Sequence, residues 1–283
     1  MIAVTGANGQ LGQLVIKNLL EKTAATNIVA LVRDPQKATA LAELGVTVRQ
    51  ADYNQPASLV PALQGVTKLL LISGSEIGKR LPQHQAVIDA AKAQGVSLLA
   101  YTSLLKADVS PMLLAAEHKA TEQAIREAGI PAVILRNGWY SENYTQAVQH
   151  NISSGIVMGT AAEGKLHTAS RQDYAEAAVA VLLAEQPQAG KVYELAGDHG
   201  FTLAEFAATV SRLAGKTVHF NNISQAEYTD VLCQIGLPHG LAEILADSEA
   251  QAAKGFLADD SQTLSKLIGR PTTTLEQSLA SIL

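Results

Sequence analysis

A doubly wound parallel α/β fold with a smaller C-terminal lobe is the architecture this 283-residue sequence predicts, and three observations predict it. The chain opens on a buried-strand pattern, a glycine-rich turn and a helix pattern in direct succession. Apolar runs then alternate with helical segments at βα spacing up to Arg136, the signature of a parallel sheet. From Tyr140 onward the alternation loosens without any repeat, low-complexity tract or flexible linker, which reads as a lobe packed over the sheet edge.

The first strand is Ile2, Ala3 and Val4, an apolar run suited to burial on both faces. The turn carries Gly6, Gly9 and Gly12, and the helix continues with Leu11, Leu14, Val15 and Leu19 at helical spacing. Such a turn suits a dinucleotide pyrophosphate. Glycine lets the backbone approach the phosphates, and the free N–H groups and dipole of the helix favour negative charge. The Gly-x-x-Gly-x-x-Gly spacing is one residue longer than the usual fingerprint, so its position between strand and helix carries the reading.

Residues 27–32 form the second apolar run and end at Arg33-Asp34-Pro35. An acidic residue at this point bonds the ribose 2′-hydroxyl of NAD, whereas arginine accommodates the 2′-phosphate of NADP. The first polar residue is Arg33, which grips phosphate with paired hydrogen bonds, and Asp34 stands one place late. NADP(H) is therefore read over NAD(H), the other reading of Arg33 being a solvated strand end. Residues 37–44 give a short helix stopped by Gly45. Residues 46–51 give a third strand ending in Asp52, either an acceptor for the adenine amino group or a loop aspartate.

Residues 58–63 are helical, and 68–72 form a fourth strand leading into Ser73, Gly74 and Ser75. Small residues at that strand end leave room for a ligand near the topological switch point, an ordinary loop being the other reading. Helix 83–94, strand 96–102, helix 111–128 and strand 131–135 follow, the last running into Asn137, Gly138, Trp139 and Tyr140. Right-handed crossovers put every strand's carboxyl end on one edge. The Rossmann-type core is thus assigned to residues 1–138, with 168–198 returning to it. A substrate-binding lobe takes 139–167 and 199–283. In that lobe 152–159 reads as a short strand pair or loop; 171–185, in the returning segment, reads as a helix. Thr202 and Glu205 make a capping box before helix 203–214, and Ser224 caps a helix near Glu227.

A net charge of −5 with no run of Lys or Arg argues against nucleic acid or an anionic membrane surface as partner. The longest apolar candidate, 175–184, contains Glu176 and is too short for membrane insertion. No charged-then-apolar leader precedes the first strand, and Cys233 is the single cysteine, so a cytoplasmic protein is expected. The seven histidines are scattered without ligand spacing, which predicts no metal. His118 and Glu122, one helical turn apart, read as a solvated helix face ahead of a catalytic dyad.

The stretches TGANGQLG, LLLISG, YTSLL, LRNGWYSENY and LSKLIGRPTTTLEQSL, with Arg33, together resemble the NmrA-like atypical short-chain dehydrogenases. Within them the likeness is greatest to the type 2 NAD(P)H:quinone oxidoreductases, relatives of the triphenylmethane-dye reductases. The resemblance implies a Rossmann core, NADPH as reductant and a quinone or similar electron-poor aromatic as substrate. It places the pyrophosphate on Gly6, Ala7, Asn8, Gly9, Gln10 and Leu11, and the 2′-phosphate on Arg33. It puts the adenosine and nicotinamide-ribose side along Ser73, Gly74 and Ser75. Asn137, Gly138, Trp139 and Tyr140 would flank the nicotinamide, with Tyr140 and Asn143 as substrate contacts. Clustered aromatics beside amides suit a flat ring, and packing of the lobe is the other reading.

One departure shapes the chemistry. Short-chain dehydrogenases use Tyr-x-x-x-Lys to move a substrate proton. Tyr101 is followed by Leu105 at that spacing, with Lys106 one place late, and no other tyrosine qualifies. Oxidation of a secondary alcohol is therefore not expected, whereas quinone reduction needs mainly positioning. No catalytic acid is assigned. The reading from another class is a dinucleotide-sensing regulator without turnover, and an NADPH enzyme for a carbonyl or double bond is a third. A homo-oligomer is allowed by the sequence.

Overall fold

The computed structural model describes residues 1–283. In chain order the elements begin with β1 (Ile2–Val4), α1 (Gln10–Leu20), β2 (Ile28–Val32), α2 (Thr39–Glu43) and β3 (Thr47–Gln50). They continue with α3 (Leu59–Ala62), β4 (Lys68–Leu71), α4 (Arg80–Ala93), β5 (Leu98–Leu104), α5 (Leu113–Ala128) and β6 (Ala132–Asn137). Next come α6 (Glu142–Thr145), α7 (Val148–Ser154), β7 (Ile156–Gly159), α8 (Arg171–Leu183) and β8 (Val192–Leu195). The chain closes with α9 (Leu203–Ala214), β9 (His219–Asn222), α10 (Gln225–Gln234), α11 (His239–Ala252), α12 (Thr263–Ile268) and α13 (Leu275–Ala280).

Seven strands form one sheet in the order β3-β2-β1-β4-β5-β6-β8. The pairs from β3 through β6 are parallel, with Ala3 opposite Val29 on one side and Leu69 on the other. The apolar runs are the physical reason. Every residue of β1, β2 and β5 is buried, as strands covered on both faces must be. On one face Leu69, Leu71, Leu99 and Tyr101 pack with Leu63, Val87, Ile88 and Ile125 from α3–α5 and their flanks. On the other, α1 packs with α8, and Lys68 Nζ reaches the Leu182 carbonyl at 2.6 Å, a cation at a helix C-terminus. Edge strand β3 differs. Its ends are exposed, and Arg49 donates to the Ala62 and Gln64 carbonyls at 2.9 and 2.7 Å. Charge on an edge discourages pairing with another chain.

The chain divides into two compact units. The first comprises Met1–Leu104, Glu117–Asn137 and Arg171–Tyr193; the second comprises Leu105–Ala116, Gly138–Ser170 and Glu194–Leu283. Segment Leu105–Ala116, which βα spacing alone would keep in the core, clusters with the second unit. Its ties explain this: Lys106 N–H donates to Glu194 at 2.8 Å, and Leu113 N–H to Asp247 at 2.8 Å.

His118 and Glu122 correct the reading of a solvated face. Both are buried, on the inner side of α5. The Tyr101 hydroxyl lies 2.8 Å from His118 Nδ1. Glu122 takes a paired hydrogen bond from Arg136, at 2.9 and 2.8 Å, and another from Ser103 at 2.6 Å. An ion pair and a hydrogen-bonded imidazole compensate the cost of removing these polar groups from water. A spacing of four residues says only that two side chains share a face, not which way it points.

Within the second unit, residues 152–159 resolve into the end of α7, a left-handed Gly155 (φ 73°) and β7. The partner of β7 is β9, paired in parallel, with Val157 opposite Phe220. Capping boxes start α9 at Thr202, α10 at Ser224 and α13 at Thr274. Asp198 and Thr272 exchange hydrogen bonds of 2.8 and 2.9 Å, and Tyr144, Phe201 and Phe206 form an aromatic cluster. No helix is long and apolar enough to cross a membrane.

Glu249 on α11 is buried, and its Oε2 accepts from the Thr160 backbone N–H at 2.6 Å. Burial pushes its carboxyl up to about 7; the Thr160 N–H and the Tyr144 side chain only partly oppose the rise. A raised folded-state pKa means that the native protein holds a proton the unfolded chain has lost, so this group's contribution to stability falls as pH rises from the ordinary glutamate range to about 7. Buried His84 and His118, pushed down to about 4 and about 3 chiefly by burial, slope the other way at acid pH. The difference between wild type and Glu249→Gln isolates the glutamate. Urea unfolding at pH 5, 6 and 7 should show the variant gaining on wild type by up to about 1.4 kcal/mol per pH unit. Parallel stability curves would contradict the assignment.

Candidate functional site

The order of the sheet reverses direction between β1 and β4, and at such a switch point the chain leaves neighbouring strands in opposite directions. The crevice opens at the carboxyl ends. A cavity of about 670 Å³ lies there, lined by the segments after β1, β2, β3 and β4 and by Arg171 at the start of α8. All of its lining belongs to the first unit.

The turn after β1 is built by close approach. Gly6 is left-handed (φ 57°), and its carbonyl accepts from Gly9 N–H at 2.9 Å. A Cβ on Gly12 would stand 2.3 Å from the Gly6 oxygen and 2.7 Å from Ala7 Cα, so only glycine fits. Thr5 and Ala7 tie the turn to neighbouring strand ends, donating to the carbonyls of Leu70 (3.0 Å) and Leu31 (3.2 Å). Helix α1 follows at once with Gly9 as its N-cap, no side-chain cap and no acidic residue in its first turn. The N–H groups of that turn have no acceptor within the helix, and nothing anionic of the chain's own competes for them.

Gly6, Asn8, Gly9, Gln10 and Leu11 line the cavity, whereas Ala7 is buried against the sheet and supports the turn from below. Asn8 is steadied by donating to the Lys37 carbonyl at 3.0 Å and by accepting on its own carbonyl from Gln13 at 2.8 Å. Arg33 also lines the cavity, with a side chain 73% exposed and Nη1 only 3.8 Å from Glu76 Oε1. Asp34 is occupied locally. It caps the turn at Pro35 by accepting from Gln36 N–H at 3.0 Å and faces Lys37 at 4.0 Å.

Asp52 serves its own loop, accepting from Asn54 N–H (2.9 Å) and Gln55 Nε2 (3.3 Å), while it also faces the cavity. Ser73, Gly74 and Ser75 line the opposite wall. Sequence reasoning missed Tyr53, Glu76, Gln83 and Arg171. The Tyr53 hydroxyl bridges Thr5 Oγ1 (2.5 Å) and the Ile72 carbonyl (3.0 Å), and burial keeps it protonated well above an ordinary tyrosine. Hydrogen bonds from Asn54 and Lys79 hold the Glu76 carboxyl below the usual carboxylate range. Arg171 had one signal: a cation at a helix N-terminus, where the dipole disfavours it, needs another reason to be there.

Gly138, Trp139, Tyr140 and Asn143 belong to the second unit and are not in the cavity lining; nor is Asn137, the last residue of β6. Gly138 N–H donates to Leu195 O at 2.7 Å, Ala169 N–H to Trp139 O at 3.2 Å, and Ser141 Oγ lies 2.8 Å from Thr168 Oγ1. Trp139 and Tyr140 are half-buried and Asn143 is exposed. Asn137 Oδ1 is buried without a hydrogen-bond partner, the kind of exception that calls for an external donor.

The sequence profile of the NmrA-like family matches residues 1–277. Quinone oxidoreductase 2 of Escherichia coli (strain K12) is 54% identical over 282 residues, covering 100% of this chain and 98% of that protein. The crystal structure of the E. coli NADPH-dependent quinone oxidoreductase QOR2 complexed with NADPH superposes with a TM-score of 0.97 over 100% of this chain and 99% of that one. Triphenylmethane reductase of Citrobacter sp., complexed with NADP(H), is 40% identical with a TM-score of 0.95 and covers both chains fully. The NAD(P)H azoreductase of Xenophilus azovorans is 29% identical over 98% of this chain and 96% of its own.

The turn offers a direct test. Gly12→Ala forces a methyl group into the Gly6 carbonyl, so thermal unfolding should show a loss of about 1–3 kcal/mol or more. An unchanged melting temperature would show that the turn is looser than this packing requires.

Proposed function

The chain belongs to the NmrA-like family, and from that premise we infer that it is an NADPH-dependent oxidoreductase that reduces quinones. The observation that carries this is full-length 54% identity to an enzyme of that activity, joined to a cavity whose shape and donors suit a phosphorylated dinucleotide. The regulator without turnover loses ground for the same reason.

The residues present fit the cofactor. Gly6, Gly9 and Gly12 leave a cradle that a Cβ would fill, and the uncapped first turn of α1 presents N–H donors to a pyrophosphate. Arg33 is the cation at the end of β2 and is assigned the 2′-phosphate, because Asp34 is held by its own turn. Tyr53, Asn54 and the Ser73–Ser75 segment form the wall assigned to the adenosine and ribose side. When bound, NADPH supplies a hydride to an electron-poor ring.

Asn137, Gly138, Trp139 and Tyr140 are proposed to flank the nicotinamide, with Tyr140 and Asn143 contacting substrate. Support comes from their position directly after β6, at the strand ends where such sheets bind ligands, and from the open acceptor on Asn137. The first unit is accordingly proposed as the dinucleotide domain and the second as the substrate lobe. No Tyr-x-x-x-Lys pair is present, and Tyr101 is fully buried against His118. The protein's contribution is therefore read as binding, orientation and exclusion of water.

Absorbance of the reduced nicotinamide should fall in the presence of enzyme, NADPH and a simple benzoquinone, and hold steady without the quinone. Arg33→Asp should weaken NADPH by about tenfold to a hundredfold in KM, at roughly 1.4 kcal/mol per decade, with NADH changed much less. No quinone-dependent oxidation would sink the function, and equal effects on both cofactors would sink the role of Arg33.

A further inference from the structure

We propose that buried His84 is a positioning residue for the cofactor, holding the Gly74 wall of the cavity in its binding shape through one specific ring tautomer. The inference rests on reading this cavity as the NADPH site. Strand β4 ends at Leu71, so the segment that follows has no sheet ladder to fix it. Side chains from beneath do so instead. Ser73 N–H donates to Thr102 Oγ1 at 2.9 Å, Gly74 N–H donates to His84 Nε2 at 2.9 Å, and Arg80 Nε donates to the Gly74 carbonyl at 2.5 Å. Both backbone groups of Gly74 are thus held from α4.

The hydrogen bonds identify the tautomer. Thr121 Oγ1 donates its only proton to the Glu117 carbonyl at 2.9 Å, so it can only accept from His84 Nδ1, 3.0 Å away. Nδ1 therefore carries the proton, and Nε2 is the free acceptor that Gly74 N–H requires. The opposite tautomer would set two N–H donors face to face. The ring has no solvent exposure and sits edge-on between Tyr53 and Tyr101, with centroids 6.2 and 5.5 Å away. Burial and then the charge of Arg80 push its pKa down to about 4, consistent with a neutral acceptor.

Arg80 is itself held. Its Nη1 pairs with Glu117 Oε2 at 3.3 Å, while Glu117 Oε1 accepts from Gly78 N–H at 3.0 Å and Arg80 N–H at 3.3 Å. The whole Gly74–Arg80 loop hangs on α4 and α5. The wall leaves little slack, since a Cβ on Gly74 would meet Gln83 Oε1 at 3.0 Å. A wall already in its binding shape does not have to be ordered when the ligand arrives, which favours affinity. It contributes to binding uniformly, so its loss should appear in Kd and KM rather than kcat.

The test compares NADPH dissociation constants by fluorescence titration for wild type, His84→Leu, His84→Gln and Thr121→Val. His84→Leu removes the acceptor and should raise Kd about tenfold, with kcat at saturating NADPH within about twofold. His84→Gln carries an amide oxygen near the Nε2 position and should recover most of the affinity. Thr121→Val keeps the ring and volume but leaves the Nδ1–H without its acceptor, and should weaken NADPH while a nitrogen NMR spectrum shows the His84 Nδ1–H resonance moved from its hydrogen-bonded position. If His84→Leu fails to fold, the Gln and Val variants carry the test. Wild-type affinity in folded Leu and Val variants overturns the proposal, as does equal impairment in the Leu and Gln variants. Failure of wild type to bind NADPH overturns the cofactor reading instead, and is told apart by that one titration.

Discussion

The contact on which the rest of the site depends is the one between Gly12 and the carbonyl of Gly6. Any other residue at position 12 must push the turn apart, because a Cβ there would lie 2.3 Å from that oxygen. The closeness brings the first turn of α1 directly onto the end of β1, at the switch point of the sheet. Three consequences follow. The N–H groups of that turn face a crevice, the crevice is bounded mainly by strand ends, with Gln83 of α4 and Arg171 of α8 added, and the turn is tied down because Thr5 and Ala7 bond to β4 and β2. Free N–H groups of a helix terminus at a concavity favour an anion before any side chain is considered.

Side chains then sort the charges. Three acidic residues line the cavity, and each is engaged: Asp34 and Asp52 in their own turns, Glu76 with Asn54, Lys79 and Arg33. Arg33 stays largely exposed, and a solvent-facing pair at 3.8 Å holds it only weakly. A phosphate with two charges can displace such a partner. Elsewhere, Glu122 and Arg136 are buried as a hydrogen-bonded ion pair, and His84 is buried with one ring tautomer selected.

Local patterns made the first unit legible. Buried strands declare themselves as apolar runs, and the glycine turn, Arg33 and Ser73–Ser75 lie directly after them, so strand ends and cavity lining could be read together. What escaped was decided by distance along the chain. Arg171 reaches the cavity from a helix remote in sequence, and β7 pairs with a strand past α9. Burial was the other blind spot: His118 and Glu122 carry polar side chains on the inner face of α5, which periodicity reads as outer. The adjacent Asp34 carboxylate is a rival to Arg33 in sequence alone, because its capping bond to Gln36 N–H engages it in its own turn.

The central claim is that this cavity holds NADPH with its phosphates on the α1 turn and its 2′-phosphate at Arg33. A crystal structure of the protein grown with NADPH tests it most directly. The account predicts a pyrophosphate against the N–H groups that open α1 and a 2′-phosphate beside the Arg33 guanidinium, with Glu76 no longer paired to it. A dinucleotide seated elsewhere, or seated here with its adenosine turned away from Arg33, would contradict it.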